Sequence, residues 1–173
     1  MSIYASRGFT LVELIIIISI VAILAAIAIP SFQKDLVQRE IQNTQVKLRL
    51  AIQMARQQAM SQTDHVVICS TNNAKSCIND SWSSGFLVFN DRNNNRQLDA
   101  DEVVLLVEKL NLKYGSLKLR SLNPNNLSFM PRTGLPLGSN GTFSYCATDT
   151  QFSYSLVMSQ MGHSRIDQTQ KCS

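Results

Sequence analysis

The chain has 173 residues, of which 45% are hydrophobic and only 16% charged, and it carries a net charge of +4. Such a length holds one modest domain plus an extra element. The charged share, well under the roughly 25% of ordinary soluble domains, excludes a chain that is solvated throughout.

Residues 1–8 are short and polar and end Arg7-Gly8, placing one positive charge just before an apolar run. Residues 9–29 follow, with Glu13 as their one charge and Thr10 and Ser19 as their only other polar side chains. As a helix this run spans roughly 31 Å, the thickness of a bilayer core. The positive charge before it predicts that the leader stays cytoplasmic and that the chain after Pro30 is exported. A secretory signal fits poorly, because its apolar stretch is about 7–15 residues and ends at a small-x-small site.

Beyond Pro30 the helical pattern continues, now amphipathic: Ile41, Leu48, Ile52, Ala55 and Ala59 draw one apolar stripe, while Lys34, Arg39, Glu40, Lys47, Arg49 and Arg56 fall mostly off it. The expectation is one helix over residues 9–61, bent near Pro30, where a helical donor is missing. From residue 63 short β-type runs take over at 65–69, 85–89, 103–107, 116–120, 142–146 and 154–158. Turn-rich loops join them, notably 123–126 and 138–141. The predicted class is α+β: a long N-terminal helix, half transmembrane (9–29) and half amphipathic (30–62), packed on an exported antiparallel β domain (63–173).

Cys69, Cys77, Cys146 and Cys172 all lie in the exported part, where disulfides persist. No pair has the C-x-x-C spacing of a metal site. Of three connectivities, Cys69–Cys77 with Cys146–Cys172 is favoured because each closes a local loop; buried free thiols are the alternative.

Gly8-Phe9-Thr10-Leu11-Val12-Glu13 resembles the processing site of type IV pilins and pseudopilins. The resemblance implies cleavage after Gly8 by a prepilin peptidase, methylation of Phe9, and pairing of Glu13 with the amino group of Phe9 on a neighbouring subunit. A carboxylate at membrane depth is costly and is normally retained for a partner, which agrees. Residues 82–89, the segment Asn90-Asp91-Arg92-Asn93-Asn94-Asn95 and residues 99–106 resemble the central hairpin of the FimT/GspH family of minor pilins and pseudopilins. The two cysteine loops fit the same family. It implies the pilin fold, a single-pass inner-membrane anchor with the C-terminal domain in the periplasm or the fibre, and other pilin subunits as partners. The reading is a FimT-like minor pilin acting in pilus assembly, with double-stranded DNA as a further partner in natural transformation; the alternative is a structural pseudopilin of a type II secretion system.

Two sites for chemistry remain. Asp91, Asn93, Asn95, Asp99 and Glu102 have the spacing of a calcium loop, although Arg96 replaces the glycine of the sharp turn. No other cofactor is indicated. The last third is basic, with seven Lys and Arg against three acids after residue 102. FimT-like DNA receptors carry a glycine followed by two arginines in the tail; here Gly162-His163-Ser164-Arg165 keeps only the second. Arg165, His163, Lys118 and Arg120 are the candidate DNA contacts. His65 and His163 lack a neighbouring nucleophile in any catalytic motif, so no enzyme activity is expected.

Overall fold

The computed structural model describes residues 10–136, 138–148 and 153–167. The chain divides into two units, Met1–Leu36 and Val37–Ser173. One helix, α1 (Leu11–Ser61), begins in the first and ends in the second and includes Pro30. In the first unit its apolar side chains are exposed, from Leu11 through Ile29 to Phe32. By length and composition this stretch is apolar enough to cross a membrane.

In the second unit α1 buries a single face: Val37, Thr44, Leu48, Ala51, Ile52, Ala55 and Ala59. The spacing of three and four residues keeps these on one side, and the three alanines, all fully buried, let the sheets approach the helix backbone. The strands are β1 (His65–Ser70), β2 (Gly85–Asp91), β3 (Val104–Lys109), β4 (Gly115–Ser121), β5 (Asn126–Phe129), β6 (Gly141–Ala147), β7 (Ser153–Met158) and β8 (Ser164–Asp167). They form two four-stranded sheets, ordered β3-β2-β1-β5 and β4-β6-β7-β8, and the pairings are antiparallel.

Both sheets share one core with the helix, including Val66, Ile68, Phe86 and Val88 from the first sheet and Leu117, Leu119, Phe143 and Leu156 from the second. Trp82 joins them: its ring meets Phe143 edge-on at 4.9 Å and its Nε1 donates to Pro124 O at 2.9 Å. β1 and β2 are buried on both faces, since Val67, Cys69, Leu87 and Phe89 form a second cluster on the far side, covered by Cys77 and Leu98. This explains their unbroken apolar runs, which a half-exposed strand would alternate.

Two strands lie where the sequence pattern suggested none. Asn126, expected in a loop, starts β5 and pairs with Cys69. β8 pairs with β7 through the turn at Gly162. Each is only four residues long, too short to show a period.

Candidate functional site

Gly8 and Phe9 lie outside the described residues. Immediately after them Thr10 and Glu13 form a reciprocal cap on α1: Thr10 N donates to Glu13 Oε2 at 2.9 Å, Thr10 Oγ1 donates to the same oxygen at 2.9 Å, and Glu13 N reaches Thr10 Oγ1 at 3.3 Å. The cap satisfies orphan donors at the helix start. Both bonds from Thr10 go to the same carboxylate oxygen, Oε2.

Cys69 and Cys77 form a disulfide with Cα atoms 5.5 Å apart. It pins the loop after β1, helped by Ile78 N donating to Ser70 O at 2.8 Å. Cys146 is also disulfide-bonded; Cys172, its expected partner, lies outside the described residues.

In the hairpin between β2 and β3 the loop's own donors meet its carboxylates. Asp91, 1% exposed, accepts Asn95 N at 3.1 Å and Arg96 N at 2.9 Å. Asp99 Oδ2 accepts the amide nitrogens of Asn93 and Asn95 at 2.8 and 2.7 Å. Glu102 accepts Arg92 N and Asp99 N. Arg96 takes a φ of 61°, so it supplies the left-handed turn otherwise given by glycine, at a cost of about 1–2 kcal/mol. Among the described residues no three His, Cys, Asp or Glu side chains gather as a metal-ligand group. Asp91, Asp99 and Glu102 therefore share a loop without sharing a cavity.

The candidate DNA contacts are brought together on the second sheet. Register places Arg120 opposite Thr142, Thr142 opposite Val157, and Val157 opposite Arg165, one row across four strands. Lys118 begins the next row, through Ser144 and Ser155 to Asp167. Directly paired residues point to one face, and since Leu117 and Leu119 fill the core, Lys118, Arg120 and Arg165 share the opposite, outer face. All three are exposed. Arg120 and Arg165 are three strand spacings apart, about 14 Å. His163 is exposed in the turn before β8.

That turn stands on the helix. Arg56 Nη1 donates to Gly162 O at 3.4 Å. Gly162 has a φ of 76°, and a Cβ there would lie 3.3 Å from the Arg56 guanidinium. Arg56 was expected to face solvent; its partner lies 106 positions away in the chain, and no local pattern signals it. Glu40 is a second case: Lys113 N, Tyr114 N and the Tyr145 hydroxyl all donate to its carboxylate, at 2.8, 3.1 and 2.6 Å. His65 is near Asn94, its Nδ1 3.1 Å from Asn94 Oδ1, and the backbone N–H of His163 donates to Ser159 Oγ at 3.3 Å.

A capped apolar helix that continues onto two antiparallel sheets, preceded by a Gly-Phe junction, defines a type IV pilin-like subunit. Residues 46–162 match the family described as type II transport protein GspH, and residues 4–29 match the prokaryotic N-terminal methylation motif. The chain belongs to the GspH family, pilins and pseudopilins of the GspH/FimT kind. In fold it is similar to the Pseudomonas aeruginosa type IV minor pilin FimU in two crystal forms. The first matches at 20% identity with a TM-score of 0.58, covering 75% of this chain and 90% of that one. The second matches at 20% identity with a TM-score of 0.50, covering 73% and 91%. No significant match is found among curated proteins. The family is one of structural subunits, and the methylation motif implies other pilins and a prepilin peptidase as partners.

Proposed function

We propose that the chain is a minor pilin of FimT type, anchored in the inner membrane by residues 9–29, which takes part in pilus assembly and binds double-stranded DNA through the outer face of its second sheet. The role is structural and non-catalytic, and the domain after Pro30 works in the periplasm or in the fibre. The row that brings Arg120 and Arg165 onto one face with Lys118 carries the DNA reading. Their separation of about 14 Å is comparable to the roughly 12 Å width of a DNA groove, so phosphates on its two sides are within reach. Cations on phosphates release counterions, so affinity falls with salt, with a slope of about −0.9 per phosphate neutralised.

The test is a gel-shift salt titration on the full chain in detergent. The expected result is retardation without sequence preference, a shallow salt slope, and weakening for all sequences alike by Arg165→Ala. No retardation at low salt leaves the second reading, a structural pseudopilin of a type II secretion system with no nucleic-acid role. The description of the matched family supports that second reading.

A further inference from the structure

We propose that the far side of the first sheet carries a saccharide-binding cleft whose preferred ligand is a sugar bearing a carboxylate. Three loops meet there: the disulfide-pinned loop after β1, the β2–β3 hairpin loop, and the β4–β5 connection. They enclose about 250 Å³. The cleft is lined by Asn79, Arg96, Gln97, Asn123, Asn125 and Asn126, beside the half-cystine of Cys77.

Two observations on this lining point to a ligand. Asn126 is only 8% exposed, yet its Oδ1 is buried without a donor, and an unmet buried acceptor in a native fold needs an explanation. Its strand position fixes where it points: Leu127 fills the core, so Asn126 faces the other side, over Cys69. The second observation is Arg96. Asp91 holds its backbone N–H at 2.9 Å, while among the described residues its guanidinium has neither a hydrogen bond nor an acidic partner, the two ion pairs being Lys47 with Glu108 and Arg92 with Asp64.

The ligand class follows from this chemistry. Side-chain amides present donors and acceptors side by side, and hydroxyl groups, which both donate and accept, match them. Arginine grips a carboxylate with two parallel N–H bonds. The lining lacks the apolar and aromatic surface that small apolar ligands require and the aromatic platforms on which nucleobases stack. The volume is below the usual ligand-pocket range, enough for one sugar ring of a longer chain.

The test is calorimetry of the full-length protein in detergent with trigalacturonate, against maltotriose as the neutral control. Trigalacturonate should bind, and maltotriose more weakly. Asn126→Ala should weaken trigalacturonate at least tenfold without lowering the melting temperature, because it deletes an unmet polar atom. Arg96→Gln should erase the preference for the acidic sugar and spare maltotriose. Gln97→Ala, in an exposed loop, supplies a second lining variant, with the same loss expected. Absence of binding by both sugars at millimolar concentration overturns the proposal, as does trigalacturonate binding that survives all three variants. Duplex DNA binding abolished by Arg96→Gln would overturn it too, reassigning the cleft to nucleic acid.

Discussion

The hydroxyl of Tyr145 on β6 donates to Glu40 on α1 at 2.6 Å, and the same carboxylate accepts the backbone N–H groups of Lys113 and Tyr114 just before β4. One helical side chain thus anchors the second sheet at two points. Removing it leaves a phenol and two backbone donors unmet, so Glu40→Ala should lower stability by about 2–3 kcal/mol. Glu40→Gln should cost less, because an amide oxygen in the place of Oε1 can still accept both Tyr114 N–H and the Tyr145 hydroxyl. Urea unfolding followed by Trp82, the single tryptophan, measures both. Equal stability of Glu40→Ala and the parent chain would show that the anchor is idle.

The same pair makes stability pH-dependent on the alkaline side. Burial, then the hydrogen bond and charge of Glu40, push the Tyr145 hydroxyl well above its ordinary range. Burial alone raises Tyr154, stacked on Tyr145 at 5.5 Å. Phenols with raised pKa values in the fold contribute stability that is complete below the unfolded value of about 10 and is lost as pH rises beyond it. Unfolding free energy should therefore begin to fall at about pH 10, the unfolded value, and keep falling as pH rises toward the raised folded values, and Tyr145→Phe should flatten the fall. A profile identical in the parent and Tyr145→Phe chains would rule out this linkage for Tyr145.

The helix and most strands were legible because burial imposes periods on them. The stripe through Leu48, Ile52, Ala55 and Ala59 is the face that α1 buries, and the apolar runs of β1 and β2 reflect two covered faces. β5 and β8 were not legible. β5 draws its pairing from Cys69, a partner far back in the chain that no local window contains, while β8 pairs with β7 across a local turn but is only four residues long, too short to show a period. The basic tail could be seen as charge, yet only register could place Arg120 beside Arg165. Glu40 and Arg56 read as solvated charges because their partners, Tyr145 and Gly162, lie more than 100 positions away.

Maturation is the direct check on the N-terminus. Mass spectrometry of the chain from assembled fibres or membranes should show methylated Phe9 as the first residue, in agreement with the methylation motif over residues 4–29. A first residue elsewhere would break the link between Glu13 and subunit pairing.

The Cys69–Cys77 bond closes a short loop, and by loop entropy it should contribute about 2.5 kcal/mol. Peptide mapping should recover this pair and, separately, Cys146 with Cys172. Replacing Cys69 and Cys77 together with serine should lower the urea midpoint; an unchanged midpoint would mean that the hydrogen bonds between Ser70 and Ile78 already hold the loop.

Calcium at the β2–β3 loop demands a rearrangement that can be read out. Asn93 and Asn95 now turn amide nitrogens toward Asp99, so coordination through their oxygens requires both amides to rotate and releases Asp99 for the cation. The left-handed φ of Arg96 already provides the turn, and what opposes the metal is its charge. Calcium binding therefore predicts that millimolar calcium raises the melting temperature of the full chain and that chelator reverses the rise. At a concentration of about 100 times the dissociation constant the gain is about 2.7 kcal/mol. Arg96→Gly should strengthen the response by removing a cation and the strain together, while Asp99→Asn should abolish it. A melting temperature that stays fixed with calcium, with chelator and in Arg96→Gly leaves Asp91, Asn93, Asn95, Asp99 and Glu102 as a hydrogen-bonded hairpin loop whose carboxylates serve its own N–H groups.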